Sequence, residues 1–200
     1  MNYLAHLLLS GPEARWRLGG LLGDFVKGPL SGERPAAIEA GIRLHRRIDA
    51  TTDSHTAYRD ALTQLDPKWR RYAGIALDIW FDHLLAQNWQ RWHPLGLEEF
   101  CTECWRDFRS DSRYIPPHAK AFIARAEEFK LLQSYREEQV IGLTLERVGL
   151  RLRRPVALQE ILPELSAGRE KLEHNFNKLM TDLNLEATRF RLHYSGSDKS

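Results

Sequence analysis

The sequence predicts an all-α fold, a single-domain bundle of many helices, and three observations carry that expectation. Apolar residues return every three or four positions over most of the chain, as in Leu172, Phe176, Leu179 and Leu183, which is the period of a helix with one face turned to a core. No stretch of useful length alternates apolar and polar residues as a half-buried strand would. Proline and glycine fall where the periodic runs start or stop, at Gly11, Gly28-Pro29, Pro35, Pro67, Pro94, Gly96 and Pro155, which is helix punctuation. With 200 residues, 42% of them hydrophobic, the chain can close one sizeable core. The domain is expected over 1–194, with 195–200 a polar tail that frays.

Taken in order, MNYLAHLLLSG opens the chain as a short helix that Asn2 caps and Gly11 ends. Glu13–Lys27 reads as a second helix stopped by Gly28-Pro29. Its Gly19, Gly20 and Gly23 each cost nearly 1 kcal/mol of helix propensity against Ala, which close approach of another backbone would offset. The third helix runs from Pro35 to about Asp53 with Ile38, Ile42, His45, Asp49 and Thr52 on one stripe, so its inward face turns polar halfway along. A shorter helix over Thr56–Leu65 leads to Pro67, and a long central helix is expected from about Lys68 to Trp92. Leu97–Ser110, Pro117–Leu132 and Ser134–Gly149 follow as helices, and a last long one, started or kinked by Pro163, follows Pro155. The second half is expected to serve mainly as scaffold.

The central segment GIALDIWFDHLLA, Gly74–Ala86, carries Asp78, Asp82 and His83 where a buried helix should be apolar. An ionised group taken out of water needs cations, several hydrogen bonds or a metal. Asp78 and Asp82 stand four apart and so share a helix face, as do His45 and Asp49. His6 and Asp24 also sit in apolar company. Each residue alone has a plain reading: a satisfied core histidine, a turn acceptor, a surface His–Asp pair, two carboxylates meeting arginines. Together, facing helices that project carboxylates and imidazoles inward form a metal site of familiar type. Oxygen-rich ligands with one or two histidines and no thiolate suit Mn²⁺, with Mg²⁺ or Fe²⁺ possible, better than structural zinc.

The motifs MNYLAH, GDFVKG, G-I-x-x-H-R-x-I-D-x-x-T-D and L-D-x-x-x-D-H, in this order over residues 1–83, resemble the acyl carrier protein phosphodiesterase family. The resemblance implies a divergent, all-helical relative of the HD phosphohydrolases. It further implies that Mn²⁺ is used to release phosphopantetheine from holo acyl carrier protein, an acidic protein substrate. The adjacent His-Asp of the usual HD signature is missing, and Asp82-His83 stands in reverse order, so ligands are assigned from helix geometry. Asp24, His45, Asp78 and Asp82 are the expected metal ligands, with His6 next. Asp49 would orient His45 or act as a general base, and Arg46 would neutralise charge on the phosphoryl oxygens. His83, roughly 100° around the helix from Asp82, either protonates the leaving serine oxygen or packs elsewhere. Phe25 and Trp80 either line a slot for the pantetheine arm or belong to the core. Two other readings stand beside this one, an HD-type nucleotide or small-phosphoester hydrolase and a non-catalytic helical interaction protein.

The formal net charge of +2 gives no global case for nucleic acid. Basic character is local, at Arg43, Arg46 and Arg47, at Arg70 and Arg71, and at Arg151, Arg153 and Arg154, clusters that could steer an acidic carrier. The longest apolar runs fall well short of the roughly 20 residues that span a bilayer, and no secretory leader is visible at the start, so a cytoplasmic protein without a membrane partner is expected. Cys101 and Cys104 form a single C-x-x-C with no second pair to complete a zinc site, and read as ordinary helix residues. Oligomeric state is not set by the sequence.

Overall fold

The structure is a computed structural model that describes residues 1–197, with side chains through Tyr194. Among the described residues there are 11 α-helices and no strands. They are α1 Tyr3–Leu9, α2 Ala14–Leu22, α3 Ala36–Ser54, α4 Thr56–Thr63, α5 Ala73–Gln87, α6 Leu97–Ser110, α7 Pro117–Glu128, α8 Leu131–Ser134, α9 Glu138–Arg151, α10 Leu162–Ala167 and α11 Arg169–Ser197. None is long and apolar enough to cross a membrane.

The core is organised around α5, where Trp80, Phe81, Leu84 and Leu85 are wholly buried. Helix α1 packs on α5 and α2, α9 covers α5 from another side, and α11 runs along α3 and α4. The tightest contact is the crossing of α2 and α3. A Cβ at Gly19 would strike the Ile38 carbonyl and lie 2.7 Å from Gly41 Cα, and one at Gly41 would strike the Trp16 carbonyl. The glycines in α2 therefore give up helix propensity for close backbone approach, the compensation the sequence called for.

Several boundaries differ from expectation, each for a local reason. Helix α2 ends at Leu22 rather than Lys27, because the chain turns at Gly23 with the Phe25 and Val26 N–H groups both donating to the Leu22 carbonyl. The central helix is shorter than Lys68–Trp92. Asp66 accepts from Lys68 N–H to hold a separate 3₁₀ turn over Pro67–Trp69, and a second such turn covers Trp89–Arg91. Lys130, at φ 47°, breaks the expected Pro117–Leu132 helix into α7 and the single turn α8. Pro163 starts α10, and Gly168 separates that helix from α11. Residues 195–197 continue α11 and do not begin a frayed tail, while 198–200 lie outside the described residues.

Cys101 and Cys104 are buried and unpaired, and burial pushes both thiols up, Cys104 to about 12. Neither is a thiolate nucleophile.

Candidate metal centre

Helix α3 brings His45 and Asp49 to the end of α1 and the turn after α2. The His45 ring is buried, and its Nδ1 donates to the Gly20 carbonyl at 2.9 Å. A carbonyl can only accept, so Nδ1 carries a proton and Nε2 is the ring atom turned to the carboxylates. That Nε2 lies 3.1 Å from Asp49 Oδ2 and 3.9 Å from Asp24 Oδ1. The same Asp49 carboxylate places Oδ1 3.1 Å from His6 Nε2, and the two imidazoles stack at 3.8 Å between centroids.

The His6 ring is 1% exposed, and neither nitrogen makes a hydrogen bond of good geometry despite the short distance to Asp49. Burial, then the neighbouring His45, push its pKa down to about 3, so the ring is neutral at ordinary pH. Burial would raise the Asp49 carboxyl, but the His45 and His6 rings against it win and hold it below the usual range. One atom each from His6, His45 and Asp49 fall within 4.8 Å of one another. Two ring nitrogens and a carboxylate converging at this spacing form a donor set of the kind that holds a cation.

Two more carboxylates flank this cluster. Asp24, on the turn after α2, has its pKa raised chiefly by burial. Asp78, on α5, accepts from the Tyr58 hydroxyl at 3.0 Å, and the Met1 amino nitrogen lies 3.2 Å from Asp78 and 3.8 Å from Asp49. Among the described residues no arginine ion-pairs with Asp24, Asp49 or Asp78; the cation beside Asp78 and Asp49 is the Met1 amino group.

The structure does not bring all the expected residues together. Both oxygens of Asp82 are committed to the start of α1, accepting from Leu4 N–H at 2.8 Å and Ala5 N–H at 3.1 Å. It caps that helix across the core, in place of Asn2, whose amide reaches the Tyr135 hydroxyl instead. A carboxylate facing a helix N-terminus meets two orphan donors and the positive end of the dipole, a stronger match than an amide. Burial pushes the Asp82 carboxyl up to about 7 against the pull of those two donors. Asp82→Ala should therefore destabilise the fold by about 3 kcal/mol, since it orphans two buried N–H groups, while the folded fraction keeps its divalent-cation content. Lost cation content without lost thermal stability would instead make Asp82 a ligand.

His83 points elsewhere, its Nδ1 2.7 Å from the Tyr135 carbonyl and its Nε2 3.4 Å from Arg169, with Trp80 against the ring. It packs away from the cluster and is no acid for a substrate held there. Trp80 is wholly buried and belongs to the core, not to a slot.

A hollow of about 390 Å³ opens beside the cluster, lined by Gly23, Asp24, Val26, Lys27, Gly28, His45, Arg46 and Asp49. Arg46 lines it while one nitrogen donates to the Val26 carbonyl at 2.9 Å, so the guanidinium also holds the turn in place. Sequence reasoning missed the central place of Asp49 between two histidines. The signal available was the polar turn of the α3 stripe, but the convergence of His6 on it is tertiary. Tyr58 gave no signal.

Comparison with known proteins identifies the family. Residues 1–183 match the family model described as acyl carrier protein phosphodiesterase. Curated relatives of that name include one from Serratia proteamaculans, 35% identical over 182 residues, covering 90% of this chain and 91% of the relative. One from Klebsiella pneumoniae is 34% identical over 88% and 92% of the two chains, and one from Escherichia coli 31% over 94% and 98%. No solved structure gives a significant match.

Proposed function

Given that the chain belongs to the acyl carrier protein phosphodiesterase family, we propose that it is a metal-dependent hydrolase of the phosphopantetheine–serine phosphodiester in holo acyl carrier protein. The products are the apo carrier and free phosphopantetheine. The observation that supports the metal is the convergence of His6, His45 and Asp49, one donor atom of each within 4.8 Å of the others, with the His45 ring held in place by its Nδ1 on the Gly20 carbonyl.

His6, His45 and Asp49 would hold the ion, with Asp24 and Asp78 flanking it. Two imidazoles and hard carboxylate oxygens without thiolate suit Mn²⁺, and after it Mg²⁺ or Fe²⁺. Bound there, a divalent ion supplies positive charge at a phosphoryl oxygen and lowers the pKa of a water. The chain's own part is positional. Gly20 fixes the His45 ring, Asp49 joins the two imidazoles, and Tyr58 steadies Asp78. Arg46 and Lys27 line the hollow where a phosphodiester would sit, placing positive charge beside its oxygens. No side chain need act as nucleophile, consistent with the absence of a G-x-S-x-G elbow and with two buried thiols.

Arg151, the last residue of α9, and Arg153 and Arg154 just after it, exposed and without ion-pair partners among the described residues, form the rim suited to an acidic carrier. Arg43 and Arg47 are turned to Glu39 and Glu186 and contribute less.

The test is holo carrier with added Mn²⁺, read by mass spectrometry in isotopically heavy water. The carrier is expected to lose its whole prosthetic group, the label to appear on the released phosphate, and chelator to abolish turnover. Label in the carrier serine, or full turnover in a verified metal-free sample, would contradict the mechanism.

A further inference from the structure

Beside the hollow lies an aromatic wall with no role so far. Tyr3 at the start of α1, Phe25 on the turn after α2 and Phe122 on α7 come together from three separate parts of the chain. Tyr3 and Phe122 lie 4.5 Å apart between centroids, Phe25 and Phe122 5.4 Å, and Tyr3 and Phe25 6.4 Å. His118 closes one end, 5.6 Å from Phe25, with its Nε2 3.3 Å from the Phe25 carbonyl. All three rings are only half-buried against the core. The Tyr3 hydroxyl finds no hydrogen-bond partner among the described residues, although burial first and Asp24 second push its pKa up to about 12.

The wall adjoins the phosphate end of the site through the chain itself. Phe25 stands between Asp24 and Val26, both of which line the hollow, while its own ring turns from that lining to Tyr3 and Phe122. Tyr3 stands three residues before His6, one turn along the same face of α1. A diester whose phosphorus lies at the cluster has two ester arms, and one that leaves the hollow over the turn at Phe25 meets these rings. Half-exposed rings suit an arm of alkyl segments and amides, since methylenes pack on ring faces and amide N–H groups point at them, while a tyrosine hydroxyl takes an amide carbonyl. A nucleoside would want donors and acceptors for a base, and the rings of Phe25 and Phe122 offer none.

We propose that Tyr3, Phe25 and Phe122 form the subsite for the pantetheine arm and set the preference for a phosphodiester carrying an extended amide-rich chain; this rests on the phosphodiesterase reading above. The test compares Phe25→Ala and Phe122→Ala with wild-type, alongside Leu185→Ala on the exposed side of α11 as a control. Two substrates are used, holo carrier and bis(p-nitrophenyl) phosphate, which has no such arm. The ratio of kcat/KM for carrier over the small diester should fall about tenfold or more in each aromatic variant and stay put in the control. Phe122→Leu keeps apolar volume without a ring and should show the same direction should Phe122→Ala fold poorly.

Binding of D-pantetheine to the intact protein, followed by NMR, separates the two ideas. If neither diester is hydrolysed but pantetheine binds wild-type and is lost in the aromatic variants, the hydrolase reading fails and the subsite stands. If carrier is hydrolysed yet pantetheine binding and the substrate ratio are unchanged in the variants, the subsite is wrong and the hydrolase reading stands. No pantetheine binding to wild-type also overturns the subsite.

Discussion

His45→Ala and Asp49→Ala are each expected to lower turnover of holo carrier by more than about a hundredfold, a loss that changes to a ligand's outer partners alone already approach. Helical content should stay near wild-type. The expectation follows from how the three central groups depend on one another. His45 is oriented by its Nδ1–H on the Gly20 carbonyl, which turns Nε2 inward, and His6 is neutral because burial, then His45, push its pKa down to about 3. Asp49 is the one carboxylate that reaches both rings. Removing Asp49 leaves two stacked imidazoles with no anion between them, a poor site for a hard cation. Removing His45 takes a buried ring out of contact with both Asp24 and Asp49. Metal content measured on the purified variants should fall with activity, to well below one ion per chain. A variant with near-wild-type turnover and full metal content would mean the ion sits elsewhere, on Asp24 and Asp78 without the histidines.

The helices were legible in the sequence because their signals are local: the 3.6-residue period, the proline starts and the glycine stops. The i, i+4 pairs were legible for the same reason. Asp78 and Asp82 do share the face of α5 that meets the start of α1, as the spacing requires. What the spacing could not reveal was what waits opposite that face. One turn of helix separates a carboxylate that caps α1 from one that stands at the cluster, and only the packing of α1 decides between them. The same holds for His83, which the helical angle turns away from Asp82 and onto the Tyr135 carbonyl. Asp49 was seen as a partner of His45 alone, since His6 lies 43 positions earlier in the chain and its approach is a tertiary event. Phe122 joins Tyr3 across a still longer separation and left no trace at all.

Gly23→Ala is expected to reduce turnover nearly as far as His45→Ala and to cost on the order of 1–3 kcal/mol of stability, an overpacking loss confined to the His45 ring. The Gly23 backbone is right-handed, at φ −53° and ψ −34°, so alanine meets no conformational strain there. The added Cβ, however, would fall inside the His45 ring, against its Cγ, Cδ2 and Nδ1. Packed backbone of α2 lies on one side and α3 on the other, so the ring is the part that must move. Moving it breaks the hydrogen bond to Gly20 and turns Nε2 away from Asp49. Gly96→Ala is the matched control, because a Cβ there meets nothing within 4 Å, and it should be neutral in both assays. The decisive measurement is the double variant. If Gly23 acts through the ring, adding Gly23→Ala to His45→Ala should cost almost nothing further in turnover or metal content, since the clash disappears with the imidazole. Additive losses would show that Gly23 serves the turn at Asp24 by some other contact, and a single Gly23→Ala variant with full activity would show that the His45 ring is free to shift without consequence for the site.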